Sequence, residues 1–71
     1  MSDSLRASYY LADALNHLGD LAGSHAALVR ALQAAPRDGK AYHLIGRVLD
    51  RMGRTEEARE MYQRGREVAL G

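Results

Sequence analysis

Three histidines and a group of acidic residues are the side chains of this sequence that could support acid–base or metal chemistry. His17, His25 and His43 are spaced so that no two lie three or four residues apart, and no His-Glu-x-x-His run is present. Two histidines of one helix need such a spacing to reach the same metal ion. We therefore expect solvated imidazoles, with no metal and no cofactor bound.

An acid cluster and a serine–histidine step are the remaining features that could indicate an enzyme. The acidic residues of the cluster are Glu56, Glu57 and Glu60. Glu60 precedes Arg64 by four residues, a favourable ion-pair spacing, so a solvated helix face explains the cluster. Ser24 precedes His25 directly, and adjacent helical residues point in different directions, so they form no nucleophile–base pair. The chain contains no cysteine, and we expect no catalysis.

The charge balance argues against a nucleic-acid or membrane partner. Ten basic and nine acidic residues leave a net charge of +1 among 71 residues, which is too small to indicate binding to a polyanion or a membrane surface. No apolar run approaches the roughly 20 residues that span a membrane. The N-terminus also lacks the apolar core of an export signal. We expect a cytoplasmic protein that forms one small domain over residues 1–71.

Apolar residues recur at three- and four-residue steps in four segments, which predicts four helices and no strand. Gly19 and Gly53 end the first and third helices, because glycine tolerates the left-handed conformation beyond a helix end. Pro36 follows the second helix and cannot continue it. The polar residues expected to cap or directly precede the helices are Ser4, Asp20, Asp38 and Thr55.

Each predicted helix has an apolar face. For the first helix it comprises Ala7, Leu11, Ala14, Leu15 and Leu18. For the second it comprises Ala26, Ala27, Leu28, Ala31, Leu32 and Ala35. For the third it comprises Ala41, Leu44, Ile45, Val48, Leu49 and Met52. For the fourth it comprises Ala58, Met61, Tyr62, Gly65, Val68 and Ala69.

The two halves of the chain correspond at an offset of 34 residues, as Gly19 and Gly53 show. Further corresponding pairs are Ala7 with Ala41, Leu11 with Ile45, Ala12 with Gly46, Leu15 with Leu49, Ser24 with Ala58 and Leu28 with Tyr62. The matches fall on small and apolar positions, as a shared packing scheme requires. A generic four-helix bundle whose halves match by chance is the alternative.

A helix–turn–helix unit of this period resembles the tetratricopeptide repeat family. The second unit carries the family pattern at Tyr42, Ile45, Gly46, Leu49, Ala58 and Tyr62, and the first carries it at Leu11, Ala12, Leu15, Ser24, Leu28 and Pro36. Two departures are Ser8 in place of a large aromatic residue and Leu70 in place of a closing proline. The resemblance implies an all-α fold in which two antiparallel helical hairpins, about residues 5–38 and 39–71, stack as a short right-handed solenoid.

The first helix of each unit also has a polar face opposite its predicted packed face. In the first unit it carries Arg6, Tyr9, Asp13, Asn16 and His17, and in the second it carries Lys40, His43, Arg47, Asp50 and Arg51. By the resemblance, these faces line an inner groove that binds a peptide or protein segment. We expect Arg47 and Arg51 to contact carboxylate or carbonyl groups of that partner. An ordinary solvated face is the alternative.

The fourth helix is expected to leave apolar residues uncovered, because the second unit lacks a capping helix. These residues are Met61, Tyr62, Val68 and Leu70. A two-fold self-association would let this patch cover itself. The alternatives are an excerpt from a longer repeat array, or a monomer in which Arg and Glu stems shield the patch. RNA binding, as in the related pentatricopeptide class, is disfavoured by the period of 34 and the near-zero net charge.

Overall fold

The computed structural model describes residues 3–71 and consists of four α-helices joined by short turns. The helices are α1 (Asp3–His17), α2 (Leu21–Ala34), α3 (Gly39–Arg51) and α4 (Thr55–Leu70). Helices α1 and α2 pack as one hairpin, α3 and α4 pack as a second, and α2 packs against α3. No strand occurs within residues 3–71. This is the predicted all-α arrangement of two stacked helical hairpins.

The turn after α1 and the turn after α3 have the same backbone geometry. Gly19 and Gly53 have φ values of 85° and 78°, in the left-handed region that glycine tolerates. The N–H of Asp20 donates to the carbonyl of Leu15, and the N–H of Arg54 donates to the carbonyl of Leu49, each at 2.9 Å. These bonds close the last turn of each helix in the same way. The predicted stops at both glycines are confirmed.

Aspartates cap two of the helices, whereas two predicted caps are wrong. Asp20 accepts a bond from the N–H of Gly23 at 2.9 Å, and Asp38 accepts one from the N–H of Lys40 at 3.0 Å. Ser4 lies inside α1, which already includes Asp3. Thr55 is the first residue of α4, and Arg54 is its N-cap without a side-chain cap. Thr55 is not the cap because the turn at Gly53 repeats the turn at Gly19. Residue 54 therefore takes the N-cap position that Asp20 has in the first unit.

The core lies between the two hairpins and comprises Tyr9, Ala12, Ala27, Leu28, Ala31, Ala41, Ile45, Val48, Leu49 and Ala58. The predicted buried face of α1 is wrong except at Leu15, which is half-buried. Ala7, Leu11, Ala14 and Leu18 are exposed, whereas Tyr9 and Ala12 are buried. Helix α1 packs mainly against α2, which covers one side of it, and the stripe of Leu11 and Leu18 faces away from that side. Ala26 and Ala69, also assigned to apolar faces, are exposed as well.

Helices α3 and α4 cross closely at Gly46. A Cβ atom at Gly46 would lie 2.5 Å from Cε1 of Tyr62, well inside van der Waals contact. A second close approach occurs where a Cβ atom at Gly65 would lie 3.3 Å from the carbonyl oxygen of Gly39. The missing side chains of these glycines let the two helices pack along their length.

Candidate functional site

A cleft of about 220 Å³ opens between α1 and α3. Its α1 wall comprises Tyr9, Tyr10, Ala12, Asp13 and Asn16, and its α3 wall comprises Lys40, Leu44, Arg47 and Val48. Ser24 and Leu28 of α2 also line the cleft, and both are almost completely buried. Helix α2 therefore forms the floor, and the cleft lies along the junction of the two hairpins.

The floor of the cleft has no free polar group. The hydroxyl of Ser24 donates to the carbonyl oxygen of Ala12 at 2.7 Å, which ties α2 to α1. Beside it lies the aliphatic side chain of Leu28. Within residues 3–71, no buried side-chain nitrogen or oxygen lacks a hydrogen-bond partner. Because its one hydroxyl is already bonded, the floor presents a mainly apolar surface to a ligand.

One end of the cleft is built around Tyr9, which sequence reasoning placed on a polar face. The structure buries the Tyr9 ring, and its hydroxyl donates to the carboxylate of Asp38. The Lys40 ammonium lies 5.0 Å from the centroid of this ring, within cation–π range. Burial, followed by the hydrogen bond to Asp38 and its negative charge, raises the pKa of Tyr9 above its ordinary value. Tyr9 thus joins α1 to the start of α3.

At the other end of the cleft, the lining residue Asn16 is hydrogen-bonded to Arg51. The Nη1 atom of Arg51 donates to the backbone carbonyl of Asn16 at 2.7 Å, and also to the side-chain oxygen of Asn16. A cation at the last turn of α1 meets the negative end of the helix dipole. Arg51 therefore holds the end of α3 against the end of α1, and it lies at the rim of the cleft.

Charged side chains lie on both walls of the cleft. Asp13 belongs to the α1 wall, whereas Lys40 and Arg47 belong to the α3 wall. Nδ1 of His17 lies 3.5 Å from a carboxylate oxygen of Asp13 and 2.8 Å from the Asp13 backbone carbonyl. The cleft therefore combines an apolar floor with one acidic wall and one basic wall.

Five residues predicted for the groove are not among those that line this cleft: Arg6, His17, His43, Asp50 and Arg51. His43 packs against Tyr62 with ring centroids 5.5 Å apart, on the α4 side of α3. Asp50 accepts a hydrogen bond from the Tyr62 hydroxyl at 2.8 Å, and the pKa of Tyr62 is raised by burial and by this carboxylate. Arg6 is exposed on α1, four residues before Tyr10. Tyr9, Asp13, Asn16, Lys40 and Arg47 are the predicted residues that do line the cleft.

Sequence reasoning did not assign Tyr10, Leu44 and Val48 to the groove, although all three line the cleft. The sequence pattern assigns Leu44 and Val48 to the packed face of the third helix, because apolar spacing does not distinguish a buried face from the edge of a cleft. Tyr10 is a large exposed aromatic residue beside Tyr9. An exposed aromatic side chain on a polar helix face is the signal that could have indicated it.

The residues assigned to self-association differ in how much surface they leave open. Met61 and Tyr62 are half-buried and pack against the core, and Val68 is half-buried. Leu70 is almost fully exposed at the end of α4. The patch is therefore smaller than its residue types suggest, and most of its open area lies near Leu70.

The acidic cluster of α4 lies on an exposed helix face. Arg54 pairs with Glu57 at 2.6 Å and Arg59 with Glu56 at 3.8 Å, both at a spacing of three residues. These are the ion pairs of α4 in residues 3–71, so the pairing of Glu60 with an arginine four residues later is wrong. No group of three His, Cys, Asp or Glu side chains within the same range could hold a metal ion. None of the four helices is long and apolar enough to cross a membrane.

Paired helical hairpins, a 34-residue correspondence and a cleft along their junction together define a helical repeat protein. The family model described as tetratricopeptide repeat matches residues 3–70, and the chain belongs to this family. Members of the family generally act as protein–protein interaction modules rather than as catalysts. No curated protein matches the chain significantly.

Proposed function

We propose that the chain binds an extended protein segment in the cleft between α1 and α3. The observation that carries this proposal is the combination of an apolar floor with two cations on one wall. A volume of about 220 Å³ is below the roughly 300–1,000 Å³ that is usual for small-molecule sites. This size suits one large apolar side chain of a protein partner better than a cofactor.

The α3 wall favours an acidic partner segment. Lys40 and Arg47 line this wall, whereas the α1 wall carries one carboxylate, Asp13. A carboxylate beside the inserted apolar side chain would accept charge-assisted hydrogen bonds from Arg47. Asp13 would accept a bond from a backbone N–H of the same segment. The partner class is therefore a segment with an apolar residue flanked by Asp or Glu.

The remaining residues of the predicted groove extend this surface beyond the cleft. Arg6 continues the α1 wall toward its N-terminus, because it precedes Tyr10 by one helical turn. Arg51 donates a hydrogen bond from Nη1 to the carbonyl oxygen of Asn16, and its side chain is exposed beside the cleft. His43 and Asp50 lie next to Tyr62, on the far side of α3. We propose that a longer segment held in the cleft extends to Arg6 and Arg51, whereas the groove role predicted for His43 and Asp50 would require the segment to pass around α3.

A displayed library of random linear peptides is the probe that tests this proposal. We expect the enriched peptides to share an apolar residue with neighbouring Asp or Glu. Chemical-shift mapping with one such peptide should perturb Asp13, Leu44, Arg47 and Val48. Arg47→Glu should weaken binding by about tenfold or more, since a hydrogen bond to a charged group contributes about 1.5–3 kcal/mol.

The matched control is Arg59→Glu, which makes the same charge reversal on the exposed face of α4. Affinity for the peptide should be unchanged in that variant. Perturbations confined to α2 and α4, or equal losses in both variants, would contradict the cleft as the binding site. Enrichment of no peptide at all would argue against binding of a linear segment.

A further inference from the structure

The outer stripe of α1 is exposed, although the same positions of the second unit are buried. Leu11 and Leu18 are 49% and 81% exposed, and Ala7 and Ala14 between them are exposed too. The corresponding residues of α3 are Ala41, Ile45, Val48 and Met52. Ala41, Ile45 and Val48 are only 0%, 2% and 3% exposed, and Met52 is half-buried.

The position of α2 explains why this stripe is buried in α3 and exposed in α1. Helices α1 and α2 pack together as α3 and α4 do, so packing within a hairpin leaves this stripe open. In α3 the stripe is covered because α2 packs against it from the preceding unit. An interface between two hairpins has an inserting half, which is this stripe, and a receiving half, which is the surface that covers it. The stripe of α1 is an inserting half that no receiving half covers in this structure.

The receiving half lies at the opposite end of the molecule. In the first unit, Ala27, Leu28 and Ala31 of α2 are buried at the junction. Their counterparts in α4 are Met61, Tyr62 and Gly65, of which Met61 and Tyr62 remain half-open. A shallow depression there is lined by His43, Tyr62, Gly65, Arg66 and Ala69, among others. The two ends of the chain thus present the two halves of one interface, which the molecule already forms once internally.

Charges at the two ends are also complementary. Inside the molecule, Asp13 of α1 faces the α3 wall that carries Arg47, with the two residues at corresponding positions of the two units. If α1 of a second copy took the place of a third unit, its Asp13 would face Arg47 of the first copy. Opposite charges would then lie on the two sides of the junction, as they do on the two walls of the cleft, which favours this orientation over a like-charge arrangement.

The polar link at the rim has a counterpart at such a junction. Inside the molecule, Arg51 donates to Asn16. In the other unit, His17 corresponds to Arg51 and Asp50 corresponds to Asn16. His17 of the second copy would therefore lie opposite the carboxylate of Asp50 in the first, a donor facing an acceptor.

We propose that copies of this chain associate head to tail, with the α1 stripe of one copy docked on the α3–α4 end of the next. The occupant of each end is a second copy, because the contact continues the interface between α2 and α3. A head-to-tail contact of this kind does not close on itself, so chains of copies grow instead of stopping at a dimer. This inference does not depend on the cleft binding a peptide.

Sedimentation velocity of the 71-residue chain, from about 10 to 500 µM, tests the association. We expect the weight-average mass to rise past two copies without a plateau. Leu18→Glu blocks the inserting stripe, and Ala69→Glu blocks the receiving end; both residues are exposed, so the fold is preserved. Each variant should weaken association at least tenfold. Ala26→Glu, on the exposed face of α2, is the matched control and should associate like the unmodified chain.

An equimolar mixture of the Leu18→Glu and Ala69→Glu variants provides the decisive measurement. Each variant keeps one intact half of the interface, so the mixture should form dimers and stop there. A single-copy mass at every concentration, or a mixture that stays monomeric, would overturn the proposal. A dimer plateau abolished by substitutions at Met61 or Leu70 but not at Leu18 would overturn it in favour of a two-fold contact.

Discussion

Gly46 and Tyr62 show how a single missing side chain sets the distance between two helices. The Tyr62 ring occupies the space where a Cβ atom of residue 46 would lie. The corresponding pair in the first unit is Ala12 and Leu28. A smaller residue on the first helix of a unit thus accompanies a larger one on the second, so the combined volume at the crossing is similar in both units.

We expect Gly46→Leu to lower the free energy of unfolding by about 1–3 kcal/mol, because the new side chain overpacks the crossing at Tyr62. Urea denaturation monitored by circular dichroism measures this change. The double variant Gly46→Ala with Tyr62→Leu reproduces the pair of the first unit and should recover most of the loss. An unchanged midpoint for Gly46→Leu would contradict the close crossing.

At the scale of the elements, two polar links and one buried hydroxyl hold α1 in place. Tyr9 bonds to Asp38 at the start of α3, and Asn16 accepts from Arg51 at the end of α3. Ser24 joins α1 to α2 beneath the cleft. Because the two links lie at opposite ends of the cleft, they set the separation of its walls without filling it.

The link through Tyr9 predicts a loss of stability in alkali. The pKa of Tyr9 is raised in the folded chain, so folding favours the neutral phenol. This stabilisation is complete below the unfolded pKa of about 10 and is lost as the pH rises through the higher folded pKa. The free energy of unfolding should therefore fall above pH ~10.

Urea titrations at several alkaline pH values measure this slope. Tyr9→Phe should reduce the slope, while Tyr10→Phe, at an exposed neighbouring position, should leave it unchanged. Tyr62, whose pKa is also raised, accounts for part of the slope that remains. Identical slopes in the unmodified chain and in Tyr9→Phe would show that the Asp38 link does not favour the neutral phenol.

At the scale of the whole molecule, the four helices form a linear series. Helices α2 and α3 each pack against two neighbours, whereas α1 and α4 each pack mainly against one. The stability of such a series is approximately a sum of units and of the interfaces between them. The ends of the series can therefore open without unfolding its middle.

We expect amide hydrogen exchange to be slowest in α2 and α3. Amides near Leu28 and Leu49, which are deeply buried, should exchange at least about tenfold more slowly than equivalent turns of α1 and α4, since local opening needs less free energy than global unfolding. Exchange followed by NMR at low protein concentration, where self-association is suppressed, gives these rates. Equal protection in all four helices would show that the chain opens only as a whole.

Much of the architecture could be predicted from local signals. Gly19 and Gly53 mark the turns because a chain that leaves a helix through a left-handed residue favours glycine at that position. Asp38 marks a helix start because its carboxylate needs only an N–H two residues away. The 34-residue correspondence follows from the order of small and apolar residues alone. Such features depend on neighbours in the sequence, so four helices in two hairpins follow without tertiary information.

The faces of α1 were decided only by the tertiary structure. Its sequence contains one apolar stripe through Leu11 and Leu18, and another through Tyr9 and Ala12. The structure buries the second, because α2 lies on that side, whereas none of the four described helices covers the first. Arg51 reaches Asn16 across 35 positions of the chain. Apolar spacing shows which side chains can be buried, but only the neighbouring helices determine which of them are.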